Sequence, residues 1–281
     1  MPRRSPEPVP FTCFVGVEYA RVGGIRLCLE ILGPLPLPTV PVPVIVRIDG
    51  CPAWGPGPRS AAMVAPFANP LLAERGFLTV AMTPRNSSQA VFPAPLDDVL
   101  AAISWLRANP LGLPVDPQRI GLWGHSAGGH LAALAGLTSS SSDTDVQAVV
   151  TISGPTSLIM TGGELVNDRP SPVTALVGGD LTTHRQQLLA ASPLSHVTAD
   201  APPFLIIHGT ADETVPFDQA VNLHEALRRA GAGSTLVPFD GRHHNLALDP
   251  EARDDEAGWF RAGRLAADFF TRSLRRNPPL S

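Results

Sequence analysis

Arg119-Ile120-Gly121-Leu122-Trp123-Gly124-His125-Ser126-Ala127-Gly128-Gly129 is the stretch that decides the fold. Arg119 to Trp123 reads as a buried strand and Ala127 to Leu137 as a helix, with Ser126 on the turn between them. Gly-x-Ser-x-Gly arises by chance in Gly-rich chains; a strand running in and a helix running out separate a nucleophile elbow from an ordinary turn. Small residues suit a tight and strained turn. A neutral serine hydroxyl is a poor nucleophile, so this reading requires a base, a group that orients the base, and donors for a developing oxyanion.

The same alternation extends outward from the elbow. Phe14 to Ala20 and Ile25 to Leu32 flank Gly23-Gly24 and predict a hairpin. Val44 to Ile48 predicts a strand opening into the loop Asp49 to Pro58, Ala61 to Arg75 a helix, Gly76 to Met82 a strand, and Leu96 to Ala108 an amphipathic helix. After the elbow helix come strand Ala148 to Ile152, strand Phe204 to Ile207, helix Pro216 to Ala230, strand Thr235 to Phe239 and a closing helix Glu256 to Leu274. The expected fold class is α/β, with a mostly parallel central sheet and helices on both faces. Residues from about 155 to 200 lack periodicity and read as a small cap-like insertion of loops and short helices. The expected organisation is one domain over residues 13–275, with a flexible segment at 1–12 and a tail at 276–281.

Composition narrows the chemistry. The chain has 281 residues, 44% hydrophobic and 16% charged, as a packed globular enzyme would. A net charge of −4 gives no electrostatic reason to expect nucleic acid. All 21 basic residues are Arg, which excludes Schiff-base and P-loop chemistry that needs Lys. The three cysteines, Cys13, Cys28 and Cys51, are odd in number and lack metal-ligand spacing, so reduced thiols in a cytoplasmic protein are expected. Arg3 and Arg4 are not followed by the apolar stretch of a signal peptide, and no run of about 18 apolar residues suggests a membrane span.

The partners of Ser126 should follow it in the chain. Asp212, in His208-Gly209-Thr210-Ala211-Asp212 just past a strand, is the best acid; Asp180 and Asp240 are weaker alternatives. The base should come last, and His243-His244 lies between the last strand and the closing helix. The remaining histidines read as structural: His125 packs under the turn, His130 follows it, His208 ends a strand, His224 lies in a helix, and His184 and His196 fall in the insertion. The Ala127 N–H, at the start of the elbow helix, is one expected oxyanion donor.

These residues and their surroundings resemble the esterase/lipase branch of the α/β-hydrolases, specifically small bacterial carboxylesterases close to the BD-FAE group. The resemblance runs from about Val17 to Phe270. It includes Ala73-Glu74-Arg75-Gly76, Phe92-Pro93-Ala94, Val115-Asp116-Pro117-Gln118-Arg119-Ile120 and Ala191-Ser192-Pro193-Leu194-Ser195. It implies the α/β-hydrolase fold, places the base at the fourth position of Gly241-Arg242-His243-His244, hence His244, and supports Asp212 as the acid. One stretch departs from it: the family's His-Gly-Gly is replaced by Asp49-Gly50-Cys51-Pro52-Ala53-Trp54. Pro52 has no N–H, so Cys51, with Gly50 beside it, is expected to supply the second oxyanion donor. Asp49 is expected to turn onto its own loop as an Asx brace.

The expected activity is that of a serine carboxylesterase acting on small to medium esters through an acyl-enzyme, without a cofactor or metal. Trp54, Phe92, Trp123 and Met160 are candidates to line an apolar substrate pocket, although such residues also serve as core. The expected partner is a small-molecule ester, and a homodimer is left open. Amide or formamide cleavage uses the same triad, and a cyclase, a lyase or a non-catalytic member of the fold is the alternative from another class.

Overall fold

Short β-rich runs bounded by Gly and Pro form the strands, and longer amphipathic or wholly apolar runs form the helices between them. The computed structural model describes residues 10–49, 68–139, 141–159, 171–179, 182–248 and 256–274. Strands β1 (Phe11–Val22), β2 (Ile25–Pro34), β3 (Val42–Ile48), β4 (Leu78–Met82), β5 (Val115–His125), β6 (Ala148–Ile152), β7 (Phe204–Gly209) and β8 (Ser234–Phe239) form one sheet in the order β1-β2-β4-β3-β5-β6-β7-β8. The hairpin β1–β2 and the β2–β4 pair are antiparallel, and every pair from β4 to β8 is parallel. Parallel strands need crossovers, and α1 (Ala68–Glu74), α2 (Ala94–Ala108), α3 (Ala127–Thr138) and α6 (Asp218–Ala230) lie on them, whereas α7 (Glu256–Ser273) follows the last strand and packs back on the sheet. The α/β-hydrolase fold expected from the sequence is the fold observed.

Strand alternation divides the core into two layers. Val44, Val46 and Ile48 of β3 and Leu122 of β5 face α2, α3 and α6, with Val99, Ile103, Leu131, Leu134 and Leu223. Ile45 and Trp123 face the other way, toward Leu72 of α1 and Ala262, Ala266 and Phe270 of α7. α3 is buried from Ala127 to Gly136, which explains why its sequence is apolar on every side. Among the described residues no helix is long and apolar enough to cross a membrane.

Three element boundaries differ from the sequence expectation for identifiable reasons. β1 begins at Phe11, ahead of Phe14, because Phe11 and Thr12 find partners in Pro34 and Gly33. β5 starts at Val115, upstream of Pro117, because the register jumps: Val42 pairs with Val115, but Val44 already pairs with Ile120. The looped-out residues are tied down by Asp116, which accepts from the Gln118 N–H at 3.0 Å and from Arg119 Nε at 2.8 Å. β7 continues through His208 and Gly209, which pair with Pro238 and Phe239.

Between β6 and β7 lie α4 (Pro172–Val177), α5 (Arg185–Ala190) and a 3₁₀ turn (Pro193–His196). This segment is fastened to the main body by buried polar contacts. Gln219 of α6 accepts from the Thr156 and Ser157 N–H groups at 2.8 and 2.7 Å, and His130 Nε2 of α3 donates to the Ala191 carbonyl at 2.6 Å.

Candidate active site

Ser126 sits between β5 and α3 at φ 55° and ψ −123°, a conformation that L-residues rarely hold. Two backbone bonds hold it there: its N–H donates to the Ile152 carbonyl, and its carbonyl accepts from the His130 N–H, both at 2.9 Å. Strand and helix pass so closely that a Cβ on Gly124 would overlap the Gly128 carbonyl group and come within 2.8 Å of Gly129 N. That crowding is the reason for glycine at position 124. Ala127 is the first residue of α3, so its N–H has no intrahelical acceptor and lies at the positive end of the helix dipole.

All three candidate triad residues follow the C-terminal ends of parallel strands, which lie on one edge of the sheet: Ser126 after β5, Asp212 after β7 and His244 after β8. The loops carrying the acid and the base are sewn together. The Ala211 N–H donates to the Arg242 carbonyl at 3.0 Å, the Gly241 N–H to Thr210 Oγ1 at 2.8 Å, and the Thr210 N–H to the Phe239 carbonyl at 3.0 Å. Gly209 is needed at this crossing, because a Cβ there would overlap the Arg242 carbonyl and lie 2.7 Å from the His243 carbonyl. The base loop is closed by the His243 N–H donating to the Ala247 carbonyl and by the guanidinium of Arg242 donating to the Leu246 carbonyl.

This scaffold brings Ser126 Oγ within 2.9 Å of His244 Nε2 and His244 Nδ1 within 2.9 Å of Asp212 Oδ2. Oδ1 of Asp212 accepts from the Thr214 and Val215 N–H groups at 2.9 and 2.8 Å. The Asp212 side chain is fully buried. Burial alone would raise its carboxyl, but hydrogen bonds from His208 and His244, the nearby charge of His244 and the Val215 amide hold it well below the usual carboxylate range. An ionised acid, an oriented imidazole and a hydroxyl are therefore aligned for proton transfer away from Ser126.

His125 does more than pack under the turn. Its Nε2 donates to the His244 carbonyl at 2.9 Å, and its ring lies 4.9 Å from that of His244 and edge-on to Trp259 at 5.0 Å. Burial, and then the His244 charge, push His125 down to about 3, so it stays neutral near pH 7 and anchors the base through its backbone. Asp49 ends just beyond β3, 2% exposed, with its N–H donating to the Met82 carbonyl at 2.9 Å. Arg47, also buried, lies two residues earlier on the same face. Burial lowers the Arg47 pKa, and the charges of Asp49 and Glu30 oppose that fall.

The other residues expected at the site fare differently. Gly50, Cys51, Trp54, Met160 and the alternative acid Asp180 lie outside the described residues. Phe92 is half-buried against the larger core layer, and its N–H donates to the Leu176 carbonyl of α4 at 2.7 Å. Trp123 requires a correction. It is 2% exposed and packs in the α7-side core with Phe239 and Phe270, so it offers no face to a substrate. A strand apolar on both faces did not reveal which way its tryptophan points. Asp240 is exposed, and the alternative base His243 is held by its backbone N–H to Ala247. His208 was missed as part of the site: Nε2 lies 3.1 Å from Asp212 Oδ2. The only sequence signal was its position four residues before the acid across a tight turn.

A serine on a strained strand-to-helix turn, bonded through an imidazole to a buried carboxylate on a mostly parallel sheet, places the chain among the α/β-hydrolases. More narrowly, residues 34–227 match the family model described as BD-FAE, and the chain belongs to that family. Esterase LipC of Mycobacterium tuberculosis is 34% identical over 232 residues, covering 75% of this chain and 55% of the relative. The chain spans about half the length of the curated esterases it matches. Among solved structures, a truncated carbohydrate esterase from gut microbiota superposes with a TM-score of 0.78 at 29% identity, covering 94% of this chain and 96% of that one. A thermophilic esterase from Thermogutta terrifontis with propionate bound superposes at 0.74 and 28% identity, covering 96% and 97%.

Proposed function

We propose that this chain is a serine carboxylesterase that hydrolyses small to medium esters through an acyl-enzyme, with Ser126 as nucleophile, His244 as general base and acid, and Asp212 as the orienting carboxylate. The observation that carries the reading is the pair of 2.9 Å hydrogen bonds from Ser126 Oγ through His244 to Asp212. As Ser126 Oγ attacks the ester carbonyl carbon, its proton passes to His244 Nε2 and Asp212 stabilises the imidazolium. Collapse of the tetrahedral intermediate breaks the ester C–O bond, and the departing alcohol takes that proton. Water then attacks the acyl-enzyme with His244 again as base, releasing the acid and restoring Ser126.

The oxyanion is assigned to the Ala127 N–H together with that of Cys51 or Gly50, each donor of this kind contributing about 3 kcal/mol to the transition state. Phe92 is retained as a substrate-pocket residue in this reading. The propionate held by the Thermogutta relative supports a short acyl chain. No cofactor enters the scheme, since the triad supplies both nucleophile and proton transfer. Free Cys13 and Cys28 support a cytoplasmic location, which cell fractionation checks.

A fluorophosphonate probe tests the reading directly. Labelling at Ser126 with p-nitrophenol release from short-chain esters is expected, with both lost in Ser126→Ala. Folded protein that takes no label and turns over no ester would sink the proposal.

A further inference from the structure

Asp212 Oδ2 is approached by two imidazoles, His244 Nδ1 at 2.9 Å and His208 Nε2 at 3.1 Å. A triad acid needs only the first. His208 is 1% exposed, and its Nε2 also lies 2.8 Å from the Val215 carbonyl oxygen. A carboxylate and a carbonyl only accept, so Nε2 carries a hydrogen shared between them. Phe217 packs edge-on against the ring at 5.9 Å between centroids and fixes its plane. Val215 closes the circuit, because its N–H donates to the other oxygen of the same carboxylate at 2.8 Å.

This circuit has two consequences. Both oxygens of Asp212 are held from the side away from His244, so the carboxylate cannot rotate without breaking bonds in a buried site. The lone pairs of Oδ2 are also divided between two donors, which weakens its attraction for a charged His244. We propose that His208 is a positioning residue that fixes the Asp212 carboxylate and tempers its pull on the protonated form of the base, thereby setting the acid limb of the pH–rate profile. The inference rests on the triad assigned above.

Among the described residues, the ionisable groups facing His244 are Asp212 from the loop after β7 and His125 from β5, and Arg47 of β3 and Asp49 just past it line a small cavity with His125. His125, held near 3, does not titrate in the working range. Removing the His208 donor leaves Oδ2 wholly to His244, which strengthens that hydrogen bond.

The test uses the full chain with p-nitrophenyl acetate, comparing wild type, His208→Phe and His208→Gln. His208→Phe keeps a ring and removes the donor; its acid limb of kcat/KM should move up by about one pH unit. Its kcat/KM at neutral pH should fall about tenfold from looser geometry. His208→Gln, whose amide N–H reaches toward the same oxygen, should bring the limb back toward wild type. A folded, active His208→Phe with a lower melting temperature but an unmoved limb overturns the inference and leaves the triad reading intact. Loss of label and turnover in folded wild type removes the triad reading and this inference with it. Should His208→Phe fail to fold, ¹⁵N imidazole NMR of the wild type decides: a hydrogen on His208 Nε2 supports the proposal, and one on Nδ1 refutes it.

Discussion

Replacing Asp212 by Asn changes one atom, and the surroundings dictate which one. The Thr214 and Val215 N–H groups, at 2.9 and 2.8 Å from Oδ1, force the amide oxygen to remain there. The amide NH₂ must then occupy the place of Oδ2, pointing hydrogens at His244 Nδ1 and His208 Nε2, both donors in the native arrangement. His244 relieves the clash by moving its hydrogen to Nε2, where it can no longer accept the Ser126 proton. An imidazole in the wrong tautomer is expected to lower kcat about 10⁴-fold, or about 5.4 kcal/mol at 1.36 kcal/mol per factor of ten. Stability should suffer less, by about 2 kcal/mol for one charge-assisted hydrogen bond, because both backbone bonds survive. Steady-state p-nitrophenyl acetate hydrolysis measures the first, and urea unfolding the second. A folded Asp212→Asn variant retaining kcat within tenfold of wild type would refute the reasoning, since neither the tautomer nor the carboxylate charge would then matter.

Gly124→Ala should cost about 2 kcal/mol by urea unfolding and slow fluorophosphonate labelling of Ser126, because the new methyl lies 2.8 Å from Gly129 N and displaces the start of α3. Unchanged labelling would mean that the elbow tolerates a wider strand-to-helix gap. His130 is pushed from 6.5 to about 4 by burial, against the pull of its bond to the Ala191 carbonyl. The unfolded chain therefore takes up a proton that the folded chain refuses between those values, and stability falls as pH drops through this window, by about 3 kcal/mol in all. Urea titrations from pH 7 to pH 4 should show this loss, and His130→Gln should flatten the slope by about one proton; parallel slopes would contradict the assignment.

The parts of the molecule legible in the sequence are those set by local pattern. The elbow could be read because strand, small residues and helix adjoin in the chain. Asp212 and the pair His243-His244 could be read because each follows a short apolar strand in the order Ser, Asp, His, and the family resemblance singled out His244 within the pair. What escaped depends on contacts across the sheet. The upstream half of β5 was hidden by Pro117, whose missing N–H argues against a strand until the register jump opposite Val42 and Val44 removes the need for that donor. Trp123 was misplaced because β5 is apolar on both faces, and only the sheet order assigns one face to α3 and the other to α7. His208 looked like the last residue of a strand because its partnership with Asp212 exists only after the turn at Gly209 folds back beneath the base loop.

The departure at the end of β3 concerns side-chain chemistry more than the donors themselves. An oxyanion hole built from backbone N–H groups is not removed by exchanging the His of His-Gly-Gly for Asp49, whereas a lone buried carboxylate nearby would raise the barrier to forming a second negative charge. Alternation along β3 sends Arg47 and Asp49 to the α7 side, where they line one small cavity with Trp123, His125 and Trp259. Arg47, buried on that same face, carries the opposing charge, and its pKa responds to Asp49. An acid and a base on one face oppose each other's field at a distance. Where the resembling family carries a His, this chain thus places a buried acid two residues after a buried Arg, on the same face.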